Sequence, residues 1–318
     1  MKALHFDGRN LALCDVEKPE REGEALVRVL KSGICKTDLE IIRGYAKFRG
    51  TLGHEFVGIV ERAESSDWIG KRVVGEINVG CGRCHVCKQG DSRHCSDRTV
   101  LGILGRDGAH AEYLTLPLRN LLKVPDGVSD EEAVFVEPLS AAYAITEQVE
   151  ILPETKVLVI GDGKLGLLCA MTLALKSKDV SILGKHKQKL DIAESQNINS
   201  ILLESLAKLP KKSFDVVVEA SGNKTGFEIA LEMIKPRGKL VLKSTFHGST
   251  KAEMWKVVVE EISIVGSRCG RFAPALELLE RKQIHVTKLI SEEFSINEGL
   301  KAFEKASQKG VLKVLISM

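Results

Sequence analysis

The sequence has no run of about 20 apolar residues, so no stretch of it is long enough to cross a bilayer as a helix. It also lacks an excess of either charge. Its 46 Lys and Arg stand against 43 Asp and Glu, a formal +3 with both signs dispersed, which gives no argument for a nucleic-acid or membrane partner. It has no internal repeat, no low-complexity tract and no disordered linker. Met1 is followed by the strand-like KALHF rather than by an apolar leader, so the expected location is cytoplasmic. In that compartment eight cysteines stay reduced and serve metals. What is present is a chain of 318 residues, 44% apolar, enough for about two domains with a core each.

Four of the cysteines crowd into VGCGRCHVCKQGDSRHCSD, as Cys81, Cys84, Cys87 and Cys95. Thiolates this close, with Gly80, Gly82 and Gly90 to bend the backbone, can converge on one tetrahedral zinc at about 2.3 Å per sulfur. Such a site is closed to substrate and serves to hold a lobe together. Two disulfides or a redox pair would need a different context, because the remaining cysteines do not pair off by spacing. An iron–sulfur cluster is compatible with the ligand types alone.

The first third reads as short alternating strands, KALHF, EALVRVL, EFVGIVER, KRVVGEI and AEYLTLP, separated by Gly, Pro and acidic turns. This is a β-rich domain interrupted by the cysteine lobe. From Ser129 a helix is expected over EEAVFVEPLSAAYAITEQV. After Pro153 the runs KVLVIG, DVSIL, SILLE, DVVVEAS, KLVLKS and ISIVGS are short, β-branched and nearly continuous in apolar residues. Alternating with helices, they predict a parallel sheet covered on both faces. The tail adds a helix over SINEGLKAFEKASQ and a last strand, VLKVLISM.

Within KVLVIGDGKLGLLCAMTLAL, Gly161, Gly163 and Gly166 form G-x-G-x-x-G after a strand and at the opening of a helix. The first glycine permits the tight turn, the second lets a pyrophosphate approach, and the third lets helix and sheet pack closely. The helix start, with Lys164 and Leu165, supplies free N–H donors and a positive dipole end. An NAD site ordinarily carries an Asp or Glu at the end of the next strand. Here that strand runs into Gly184, Lys185, His186 and Lys187. Two lysines and a histidine suit a 2′-phosphate, so NADP is favoured over NAD; the plainer reading is a solvated basic helix start.

A second, open metal site is suggested by Cys35 in GICKTDLE and by His54 and Glu55 in GHEFVGIV. A cysteine, a histidine and a carboxylate are the mixed ligands of a catalytic zinc. Asp38 is placed to accept from the far nitrogen of His54 and fix its tautomer. Glu137, in VEPLS, is a further acidic candidate. No spacing rule alone assembles residues 35, 54 and 137 into one site.

GICKTD, GHEFVG, the four-cysteine lobe, DGAHAEY, VEPLS and GDGKLG stand in an order that resembles the zinc-dependent medium-chain dehydrogenases of the alcohol dehydrogenase superfamily. The Glu of VEPLS is similar to the sorbitol, threonine and glucose dehydrogenase branch. The resemblance implies an α/β chain with a GroES-like β-rich catalytic domain over 1–145, its structural zinc lobe at about 80–96. A Rossmann, doubly wound NAD(P) domain over 146–267 and a return to the catalytic domain over 268–318 would follow. It implies that Cys35, His54 and Glu55 or Glu137 hold catalytic zinc, with water as an alternative fourth ligand, so zinc is expected twice per chain. Thr37 matches the hydroxyl that bonds the substrate oxygen. Ser221, Gly222, Gly266 and Ser267 resemble segments lining the cofactor cleft, and Lys313 a basic residue that reaches the pyrophosphate. Glu40 stands where the family usually has a relay histidine, a departure from the pattern. The implied reaction is reversible hydride transfer between a secondary alcohol or polyol and NAD(P), in a homo-oligomer, dimer or tetramer. A nucleotide-binding scaffold would keep only the lobe zinc, and a zinc-independent quinone or enone reductase would keep neither.

Overall fold

The computed structural model describes residues 1–44, 47–245 and 253–318. They divide into two compact units, Met1–Glu137 with Phe272–Met318, and Pro138–Arg271. No helix among them is long and apolar enough to cross a membrane.

The first unit is β-rich, as the alternating strands predicted. Its largest sheet has seven strands, with the path Leu121–Lys123, Arg72–Gly75, Glu55–Arg62, Glu24–Ile34, Lys313–Ser317, Ile290–Ser295, and Tyr113–Pro117 paired onto Glu24–Ile34. The last strand of the chain therefore lies inside the sheet, antiparallel to Glu24–Ile34. Its apolar partners draw both chain ends into one core of Leu4, Phe6, Ile34, Ile41, Leu52, Phe303, Val314 and Ile316. The expected helix after Ser129 is two helices. Asp130–Val134 is capped by Ser129 and Glu132, each side chain bonding the other's backbone N–H, and Val136–Gln148 follows.

The second unit holds six parallel strands in the order Asn199–Leu202, Asp179–Gly184, Lys156–Ile160, Phe214–Glu219, Ile234–Leu242, Ser263–Gly266. Numbered along the unit this is 3-2-1-4-5-6, the doubly wound arrangement that binds dinucleotides at the carboxyl ends of its strands. The central strands are buried almost throughout, which is why they read as continuous β-branched runs. Expectation and architecture agree on the fold class.

Candidate active site

Sheet register builds the open site. Antiparallel pairing sets Gly33 opposite Glu55 and Ile34 opposite Val314, so Cys35, Glu55 and Lys313 converge from three distant stretches. A Cβ on Gly33 would stand 2.6 Å from Glu55 Oε2 and 2.7 Å from Val134 Cγ1; the glycine makes the room that the Glu55 carboxylate fills. Cys35 ends the strand and caps the helix Lys36–Ile42. Its backbone N–H donates to Asp38 Oδ2 at 2.8 Å, and the first helical turn leaves Thr37 Oγ1 3.6 Å from Cys35 Sγ.

One ligand atom each from Cys35, His54 and Glu55 lies within 4.8 Å of the other two. His54 Nδ1 is 3.3 Å from Asp38 Oδ1, which leaves Nε2 as the nitrogen for a metal. Burial favours neutral forms of both partners, but each is overruled. The His54 and His110 imidazoles hold the Asp38 carboxyl well below the usual carboxylate range. Asp38 and then Cys35 hold the His54 pKa well above its ordinary value. Around Asp38 the buried set continues: His110 Nε2 is 3.6 Å from Asp38 Oδ2, and the Ser32 hydroxyl is 2.8 Å from His110 Nδ1. Cys35, Asp38 and Glu55 thus gather acidic groups in a buried place where Lys313 is the ammonium paired with Glu55. A divalent cation on thiolate, imidazole and carboxylate would balance that charge, and the donor set suits zinc.

The four lobe cysteines also converge. Their sulfurs lie within 4.8 Å of one another, and Cys84 and Cys95 are 3.8 Å apart, close to the edge of a tetrahedron with bonds of about 2.3 Å. A Cβ on Gly80 would meet Cys87 Sγ at 2.7 Å. Backbone N–H groups of Arg83 and Cys84 pull the Cys81 thiol down to about 6. Desolvation and three neighbouring sulfurs push Cys87 up to about 12. Four thiols so close resist joint ionisation unless a cation shares them, and all eight cysteines are free thiols.

In the second unit the expected cofactor residues fall at the carboxyl ends of the parallel strands: Gly161 to Gly166 after the first, Gly184 to Lys187 after the second, Ser221 and Gly222 after the fourth, Gly266 and Ser267 at the sixth. Gly161 takes φ +119°, and a Cβ on Gly166 would lie 1.9 Å from Gly161 O, so strand, turn and helix touch only because both are glycine. Nothing lies within 4 Å of a Cβ placed on Gly163, and the helix Lys164–Ala174 has no side-chain cap. The turn is open where a pyrophosphate would bind.

Three expected residues stand apart from these clusters. Glu137, in the first turn of Val136–Gln148, is not in the group formed by Cys35, His54 and Glu55. Glu40 is bonded by Arg43 Nη1 at 2.8 Å. Lys313 is fully buried, with its ammonium on Glu55. Sequence reading also missed three contributors. His110 lay unassigned within DGAHAEY. Asp162, between two glycines, bonds the backbone at 185 and 186. Buried Glu219 takes the Ser221 N–H at 2.8 Å, and its place beside EASG was the available signal.

Residues 21–126 match the alcohol dehydrogenase GroES-like domain family, and residues 166–281 the zinc-binding dehydrogenase family. The erythritol/L-threitol dehydrogenase of Mycolicibacterium smegmatis is 30% identical over 94% of this chain and 92% of its own. A zinc-binding dehydrogenase from Sinorhizobium meliloti solved with NADP superposes with a TM-score of 0.92 at 25% identity, over 100% of this chain and 99% of the other. RspB from Escherichia coli CFT073, solved with NADH, gives 0.91 at 27%, with the same coverage. With the two ligand clusters and the glycine turn in place, these likenesses settle the family: the chain belongs to the zinc-type medium-chain dehydrogenases of the alcohol dehydrogenase superfamily.

Proposed function

We propose that this dehydrogenase catalyses the reversible NAD(P)-linked oxidation of a secondary alcohol or polyol at the Cys35–His54–Glu55 cluster. The observation that carries the reading is the convergence of those three ligand atoms within 4.8 Å, with the Thr37 hydroxyl beside Cys35. The activity named for the M. smegmatis relative supports the polyol class. Cys35, His54 and Glu55 would hold a zinc whose chemistry is that of a Lewis acid lowering the pKa of the alcohol, and a bound dinucleotide would supply the hydride acceptor. Asp38 faces His54 Nδ1 and orients the ring so that Nε2 is the nitrogen a metal would take. Thr37 accepts the proton of the substrate hydroxyl and hands it outward. Glu40, tied to Arg43, stands further out, where bulk water can serve equally. Gly161, Gly163, Lys164, Leu165 and Gly166 receive the pyrophosphate, while Ser221, Gly222, Gly266 and Ser267 line the cofactor.

The same reading has Cys81, Cys84, Cys87 and Cys95 hold a second, structural zinc. A homo-oligomer is supported by exposed Trp255, Val258, Val259 and Ile264, on and beside the edge strand Ser263–Gly266. Eight cysteines, four of them gathered in one metal-type cluster, support a reducing, cytoplasmic location. The expected preference for NADP loses much of its ground. Lys187 is paired with Asp191 at 2.7 Å and Glu194 at 2.9 Å, and His186 with Asp162 at 2.9 Å. The test is a screen of secondary alcohols and polyols with both dinucleotides, read as absorbance of reduced nicotinamide, on protein of measured zinc content. Turnover that tracks zinc at the Cys35 cluster is expected; turnover retained after Cys35→Ser and His54→Ala would overturn the assignment.

A further inference from the structure

The end of the strand Asp179–Gly184 is where this fold distinguishes NAD from NADP, and the chain has a glycine there. A carboxylate nevertheless reaches the place. Asp162 Oδ2 accepts from the backbone N–H of Lys185 at 2.7 Å and of His186 at 2.7 Å, and lies 2.9 Å from His186 Nδ1. A Cβ on Gly184 would stand 2.5 Å from Asp162 Cβ and 2.7 Å from its Oδ2. Gly184 is therefore the space that Asp162 occupies. Asp162 is buried; burial opposes its charge, but the His186 and Lys185 donors outweigh it and hold the carboxyl below its ordinary range.

We propose that Asp162 sets the choice of dinucleotide, supplying from the glycine turn the negative charge that an NAD site ordinarily carries at the strand end, and turning a 2′-phosphate away. The proposal rests on the dehydrogenase reading above and adds the cofactor that the enzyme selects. Three observations carry it. The backbone donors at 185 and 186, which a 2′-phosphate would use, already hold a carboxylate. A phosphate monoester, with a charge of about −1.5 to −2, would have to sit against that carboxylate in a half-buried place where repulsion is poorly screened. Of the three basic side chains that follow Gly184, Lys187 is paired with Asp191 and Glu194, and the His186 ring lies against Asp162. Of those three, Lys185 alone has no ion-pair partner among the described residues.

The test is binding, which needs neither substrate nor turnover. Wild-type protein is titrated with NADH and with NADPH, followed by nicotinamide fluorescence, and by calorimetry with ADP-ribose and its 2′-phosphate. NADH should bind roughly tenfold or more tightly than NADPH, and the two fragments should rank the same way. Asp162→Asn keeps the shape and removes the charge, so NADPH should tighten and the ratio should fall severalfold. NADPH binding as tightly as NADH to the wild type would overturn the proposal, as would an unchanged ratio in Asp162→Asn. If that variant does not fold, the fragment pair on wild-type protein decides alone. Folded wild type that binds neither dinucleotide would overturn the dehydrogenase reading, and the proposal with it.

Discussion

At the scale of single residues, Asp38 organises the open site. It caps the helix through the Cys35 N–H, faces His54 Nδ1 and has His110 at its other oxygen. Outer partners of metal ligands typically change metal affinity by about 10–100-fold when removed. His110→Gln should weaken zinc at the open site on that scale and leave the cysteine lobe loaded; chelator competition on the purified protein reads both sites at once. Equal zinc retention at the open site would show that His110 merely fills space against Phe303, whose ring it meets edge-on at 5.5 Å. Thr37→Val is the complementary probe, because it keeps shape and ligands and deletes only the hydroxyl. Its kcat should fall about 10²–10⁴-fold, with zinc content and dinucleotide affinity kept. Near-normal turnover would mean that the proton leaves by another route. Cys35, His54 and the four lobe cysteines were legible because their chemistry resides in residue type. Asp162 was not, since a carboxylate in a glycine turn shows no sign of reaching a strand end 22 residues later. An aspartate at position 184, where an NAD site ordinarily carries one, would collide with it.

At the scale of elements, strands were easier to read than helix breaks. Nearly continuous apolar runs in the second unit can only be strands of a doubly covered sheet, and each became one. The apolar pattern after Ser129 runs unbroken through Phe135, so it read as one helix; Phe135 instead ends Asp130–Val134 and a new helix opens at Val136. The cysteine lobe has little apolar packing of its own. Cys84 and Cys87 are half-exposed and their helix spans only His85–Lys88. Such a segment holds its shape through its ligands, and thiolate zinc contributes on the order of 10 kcal/mol to folding in small zinc peptides. Cys84→Ser should therefore lose one zinc and lower the melting temperature, while Cys35 and His54 keep theirs. Unchanged zinc content with an unchanged melting temperature would sink the structural-zinc assignment.

At the scale of the whole molecule, the first unit is tied together by its chain ends. The closing strand Lys313–Ser317 sits between Glu24–Ile34 and Ile290–Ser295, and it carries Lys313 to Glu55, 258 residues away in sequence. Nothing local in VLKVLISM signals that partner; only sheet register brings the two together. Both side chains are fully buried, with the ammonium also 5.5 Å from the Phe135 ring. Removing one member of a buried pair strands the other charge and typically costs about 3–5 kcal/mol, whereas removing both with similar volumes is often near neutral. Lys313→Met should accordingly be strongly destabilising, and Glu55→Gln added to it should recover much of the loss. The metal gives this prediction a second arm. A divalent cation at Cys35 and His54 offers Glu55 another positive partner within the same buried cluster. The cost of Lys313→Met, read by urea unfolding, should then be larger after chelation than in zinc-loaded protein. Equal costs in the two states would mean that Glu55 answers to Lys313 alone, and that Cys35 and His54 hold their metal without it.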